Sequence, residues 1–247
     1  MTRPILTRIR PSELQWEKLG THGLRRKVLN HEPDTGYVTA LVGIPEGWRG
    51  GGIAHYHDSF EEVFMWDGSV TVGGRHYWHA GDYFYRPARV VHGHDERSEE
   101  GALAVIRNDG PCELLLAHEP AEDDEYPLEE ITDPRGLVLY CTPAEMTWED
   151  APGFPAGWRI KTLSADDTTG ARTLAVQIPA GWTRNGADIP GRDTRWEAMV
   201  TQGSVTGQGI TFERGDYTVG PAGIEAFDAE SAPEGCEFIL WQFPRGV

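Results

Sequence analysis

The sequence has little cysteine, little positive charge and no long apolar run, and each shortage narrows what the chain can be. Three cysteines occur in 247 residues, Cys112, Cys141 and Cys236, far apart and odd in number. That pattern excludes a disulfide frame and a zinc knuckle, and it suits reduced thiols in the cytoplasm. Lysine and arginine total 22 against 39 aspartates and glutamates, for a formal charge of −17. Nucleic acid and anionic membrane both demand a positive surface, so neither is an expected partner. No segment is apolar for long enough to span a bilayer, and the opening MTRPILTRIRPSELQ lacks the apolar core of a signal peptide. No nucleophile triad, phosphate-cradling glycine loop or nicotinamide fingerprint is apparent either. Histidine itself runs out, since all nine lie at or before His118.

What is present points to strands. Thirty glycines and nine tryptophans in a chain that is 39% apolar favour an all-β, turn-rich fold. Asp34-Thr35-Gly36, between Lys27-Val28-Leu29 and Tyr37 to Ile44, is a hairpin signal. Asp67-Gly68, between Phe64-Met65-Trp66 and Ser69 to Val72, is a second. Ala102 to Arg107 and Cys236 to Trp241 read as core strands, and short helical turns are expected near Pro11 to Leu19. An internal repeat then sets the architecture. Ile44-Pro45-Glu46-Gly47-Trp48 returns as Ile178-Pro179-Ala180-Gly181-Trp182 at an offset of 134, and Gly81-Asp82-Tyr83 as Gly215-Asp216-Tyr217. Gly68-Ser69-Val70 returns as Gly203-Ser204-Val205 at 135. A period this long means a duplicated domain, not a solenoid. The expected division is residues 1–117, an acidic linker at 118–143, and residues 144–247.

Chemistry concentrates between Gly51 and His94. His55 and His57 sit at i and i+2, so on a strand both imidazoles face one side. Glu61 would enter from the following strand and His92 from a strand beyond the second hairpin. Three neutral nitrogens and one carboxylate oxygen suit a divalent first-row metal. Glu62 rivals Glu61, but adjacent strand residues face opposite ways, so only one of them reaches such a metal. Its counterpart in the repeat, Glu197, points to a structural role for Glu62.

The spacing of His55, His57, Glu61 and Gly68, followed by Gly81, Pro87 and His92, resembles the two motifs of the cupin superfamily. Arg89 stands where that pattern usually has glycine, and Glu96 where it has asparagine. The resemblance implies two tandem cupin-type jelly-roll β-barrels, a bicupin. It implies one divalent metal ion per chain (Fe, Mn, Ni or Zn) held by His55, His57, Glu61 and His92 of the first barrel.

The second copy keeps the turn glycines and drops the ligands. Pro190 and Arg192 align with His55 and His57, Trp196 with Glu61, and Ala226 with His92. It is expected to hold no metal and to act as a structural partner for the first.

Other residues have plainer roles open to them. His94 shares a face with His92 if the strand continues, which would make it, with Glu61, a proton-accepting catalytic group; an ordinary solvent-exposed strand end is the alternative. His76 and His79 flank Trp78 near a turn and read as surface residues. Phe64, Met65, Trp66, Tyr83 and Tyr85 alternate along strands, so about half should line the interior. Arg89 either meets an anionic substrate or forms a surface pair with Asp95 or Glu96. The family resemblance implies a metal-dependent enzyme acting on a small organic molecule, with dioxygenase-type oxidoreductase chemistry as the leading expectation. A non-redox Lewis-acid isomerase, cyclase or lyase is the alternative, and a non-catalytic binding protein is a third. A homodimer is compatible with any of these.

Overall fold

The computed structural model describes residues 5–50, 52–117, 125–185 and 193–245. Among these residues the chain is strand, turn and loop, apart from three short 3-10 turns at Pro11–Glu13, Pro143–Glu145 and Ala226–Asp228. The all-β expectation therefore holds. No helix among the described residues is long and apolar enough to cross a membrane.

Two compact units divide the chain, Leu14–Ala144 and Met1–Glu13 with Glu145–Val247. Each is a curled antiparallel sheet built around one long strand. In the first unit that strand is Glu61–Val72, with Ala102–Asn108 on one side and Tyr83–Arg86 then His76–His79 on the other. In the second it is Trp196–Gly207, flanked by Cys236–Gln242 on one side and Tyr217–Gly220 then Ile210–Glu213 on the other. The equivalence of these two strands, 135 residues apart, is the sequence repeat made visible.

The hairpin at Asp34-Thr35-Gly36 forms as expected, with Glu32 opposite Tyr37. Asp67-Gly68 does not turn the chain. The strand runs straight through it, and the hairpin closes later, at Gly73 and Gly74. Gly68 instead pairs with Ala102, two residues beyond a β-bulge at Trp66 where the register against Ala102–Asn108 shifts. Its φ is +69°, and a Cβ there would lie 2.0 Å from the Gly101 carbonyl oxygen. Gly203 repeats the device at φ +68° and 2.1 Å from the Gly235 oxygen. A close backbone approach within a strand and a tight turn make the same demand for a glycine with positive φ, so the residue type does not separate them.

The expected boundaries also move. Val138–Cys141 pairs with Tyr83–Arg86, and Tyr126–Pro127 with Val90–Val91. The described part of the acidic segment is thus built into the first unit, not a free linker; residues 118–124 lie outside the described set. At the other end, Leu6 is buried in the core of the second unit and Ile9 bridges Tyr217. Edge strands tolerate charged and proline-bearing sequence because pairing uses the main chain. Composition alone therefore places such edges poorly.

Inside the first unit the strands alternate cleanly. Val63, Met65, Trp78 and Phe84 share one apolar cluster. Tyr83 and Tyr85 point to the other face with Glu62, which accepts hydrogen bonds from Tyr83 Oη, Arg107 and Arg135. The second unit is filled by a larger apolar cluster that includes Trp158, Trp196, Phe212, Phe227 and Phe238.

Candidate metal centre

The three histidines of the first barrel converge. His55 and His92 face each other across an antiparallel bridge, with mutual backbone hydrogen bonds of 2.8 Å. His57 follows two residues after His55, and one ring nitrogen from each imidazole lies within 4.8 Å of the other two. Ring centroids are 4.5 to 5.2 Å apart.

Hydrogen bonding decides which nitrogens face inward. His57 Nδ1 and His92 Nδ1 each lie 2.9 Å from a carbonyl oxygen, of Glu113 and Val90 respectively. A carbonyl only accepts, so both Nδ1 atoms carry the proton and both Nε2 lone pairs remain for a ligand. His92 Nε2 is fully buried and has no hydrogen-bond partner among the described residues. Burial, then the positive charge of Arg86, holds His92 well below the usual histidine range despite Glu61 nearby. Burial and His57 bring His55 down to about 4. These two rings are neutral at neutral pH, as metal ligands must be.

Glu61 completes the arrangement from the first residue of its strand. Its Oε2 is 3.4 Å from His92 Nε2 and 2.5 Å from Arg86 Nη1. Burial alone would raise the Glu61 carboxyl, but His92, Arg86 and the other histidines outweigh it and hold the group near 2. Arg86 is itself buried, and its Nε and Nη2 donate to both oxygens of Glu125 at 3.0 and 2.6 Å. Glu62 lies on the opposite face, as strand alternation requires.

His94 does not join the group. Gly93 has a φ of +85°, which breaks the strand alternation after His92, and His94 is exposed. Its place beside the histidines is taken by Glu96. A Cβ on Gly93 would fall 2.4 Å from His55 Cε1 and 3.4 Å from the Glu96 carboxyl carbon, so ring and carboxyl flank the glycine. Burial, then Glu61, raises the Glu96 carboxyl to about 7. His76 stacks on Trp78 and Tyr140, and neither His76 nor His79 belongs to the cluster. Arg89 has a left-handed backbone at φ 65°, the conformation that explains glycine at this motif position. Its guanidinium pairs with Asp58 and Glu129, not with Asp95 or Glu96.

Arg86, Glu125 and Glu113 escape a reading of spacing. Arg86 precedes the motif proline without being part of the pattern, Glu125 sits in the stretch assigned to a linker, and Glu113 contributes only a carbonyl. In the second barrel, Trp196 fills the place of Glu61 and donates from Nε1 to the Ile224 carbonyl at 3.0 Å. Pro190 and Arg192 lie outside the described residues.

A jelly-roll barrel carrying a largely buried histidine trio beside a carboxylate defines a class, and the comparisons point to it: the chain has the fold of a tandem cupin. More particularly, residues 6–111 match the family model described as the ChrR Cupin-like domain. Among solved structures, a candidate dioxygenase from Nostoc punctiforme superposes with a TM-score of 0.78 at 15% identity, over 98% of this chain and 83% of that one. An oxalate decarboxylase from Lactobacillus farciminis, in a formate complex, gives 0.58 at 13%, over 99% and 88%. The Mn(II)-containing oxalate decarboxylase of Bacillus subtilis gives 0.55 at 14%, over 100% and 79%. A search of the curated proteins finds no match.

Proposed function

We propose that the first barrel binds one divalent metal ion through His55, His57, Glu61 and His92 and acts on a small organic molecule as a dioxygenase-type oxidoreductase. One observation carries the metal assignment. His92 Nε2 is buried without a partner among the described residues and aims at the same point as the other imidazoles. A lone pair left dry and unpaired is costly, and a bound cation would satisfy it. The structural neighbour described as a candidate dioxygenase supports the direction of the chemistry, and the Mn(II) centres of the decarboxylase support the kind of ion. When bound, such an ion supplies Lewis acidity and, if redox-active, electron exchange with dioxygen.

The chain's own residues do the rest. Arg86 keeps Glu61 ionised and fixed, which suits a ligand and makes Glu61 a poor proton acceptor at neutral pH. Glu96, beside His55, is the group able to hold or release a proton near neutrality. It takes the role assigned to His94 on spacing. Non-redox Lewis-acid chemistry is the second reading, favoured by a donor set of imidazoles and a carboxylate that suits a divalent cation whether or not it is redox-active.

Metal analysis of the freshly purified chain, then a substrate screen with and without oxygen, tests the proposal. One iron or manganese per chain with oxygen-dependent turnover is expected. Turnover that persists anaerobically would transfer the assignment to the second reading. Two metals per chain, or none after reconstitution, would overturn it.

A further inference from the structure

Resting on that metal-centre reading, we infer that the substrate carries an apolar portion, which seats on an open rim formed by Ile53, Leu114 and Leu116. His57 and His92 are buried and His55 is only half-buried, so the cluster meets solvent on the His55 side. That side is where the apolar residues gather. The short strand His55–Tyr56 pairs antiparallel with Leu115–Leu116, placing Leu116 directly opposite His55. Residues opposite each other in an antiparallel pair share a face, with Cβ atoms about 5 Å apart. Leu114 lies two residues earlier and so shares it too.

Burial follows the same alternation, with Leu114 and Leu116 58% and 49% exposed and Leu115 half-buried. Ile53, 48% exposed, is tied to the site because its carbonyl accepts a hydrogen bond from the His55 ring. Exposed aliphatic side chains rimmed by polar groups suit a ligand-binding surface. The other flank of His55 is Gly93 and the Glu96 carboxyl. The mouth is therefore two-sided, apolar towards Leu114 and Leu116 and acidic towards Glu96. A wholly polar substrate as small as oxalate would leave the apolar side wet. A molecule with a metal-seeking oxygen head and an aliphatic or aromatic body covers both. Three side chains fall far short of the roughly 800 Å² per partner that a stable protein interface buries, which favours a small molecule over a second copy of the chain.

The test uses the full chain loaded with cobalt(II) and the straight-chain carboxylates from formate to hexanoate. Affinity is measured by calorimetry on wild type and on the double variant Leu114→Ser, Leu116→Ser. Neither leucine is a ligand, and both are exposed, so equal cobalt content verifies an intact site. Wild-type affinity should rise about fourfold per added methylene, and in the variant the rise should fall to about twofold or less. Equal slopes in the two proteins, or a flat wild-type series, would overturn the inference while leaving the metal centre standing. Absence of bound cobalt in wild type would defeat the metal reading and take this inference with it. Sedimentation showing a wild-type dimer that the variant dissociates would assign the rim to a second copy instead.

Discussion

The two barrels share a backbone plan and treat its centre in opposite ways. Where the first places Glu61 and His92, the second has Trp196 and Ala226, which among the described residues belong to a large apolar cluster. The Trp196 indole lies so close to Gly220 that a Cβ there would meet the ring at 2.0 Å. Beside it Phe227, held at φ 58°, packs against Phe212 and Phe238 with ring centroids 5.0 and 4.9 Å away. Yet both long strands carry the same positive-φ glycine, and both keep a buried glutamate one residue beyond the ligand position, Glu62 and Glu197. The strand frame is indifferent to what fills it. The difference lies in support: a polar centre needs Arg86 and Glu125 to hold its carboxylate, whereas an apolar one needs only volume.

Substitutions can sharpen or break this contrast. The largest effect is expected for His57→Ala, which should abolish metal retention, by at least about 100-fold in affinity, while circular dichroism stays that of the folded chain. Loss of the folded signal would make the first barrel as dependent on its centre as the second is. Trp196→Ala should destabilise the second barrel by about 3–5 kcal/mol, as large core deletions do, with metal content unchanged. A variant that unfolds at the wild-type urea midpoint would show that the plug bears no weight.

The adjacent glutamates separate the two kinds of role next. Glu61→Gln should lose metal but stay folded, and Glu62→Gln should keep metal but lose about 3 kcal/mol because Arg107 and Arg135 are left buried with less countercharge. The reverse pattern in elemental analysis would mean that the faces are exchanged.

The smallest effect is a pH signature in the metal-free chain. Glu96, raised to about 7 from 4.5, keeps its proton longer in the folded state. Its contribution is present at low pH and is lost as pH rises from about 4.5 to 7. His55, lowered to about 4 from 6.5, acts the other way, its contribution being lost as pH falls through that range. Glu96→Gln should therefore be more stable than wild type at pH 7.5, within about 1 kcal/mol, with no difference below pH 4.5. Urea titrations showing an advantage at low pH instead would reverse the sign.

Much of the site was legible because it is local. His55 and His57 share a strand face by the i, i+2 rule, and the replacement of Glu61 by Trp196 follows from aligning the two copies. What escaped depends on geometry that residue types leave open. Gly68 could have served a turn or a close backbone approach inside a strand. Gly93 could have kept the strand extended, which would have aimed His94 inward, and its positive φ did not. The Arg86–Glu125 pair joins residues 39 apart in the chain, and Glu125 belongs to no motif whose spacing could have named it.

That pair also bears on how the barrel can be moved between proteins. The family match ends at residue 111, ahead of Glu125, Asp133 and Arg135. Cut there, a fragment would keep His55, His57 and His92 but leave Arg86 without Glu125, and Glu62 without Arg135. The portable module, for grafting or for recombination, is the length of chain that closes its own ion pairs, and it runs to Ala144.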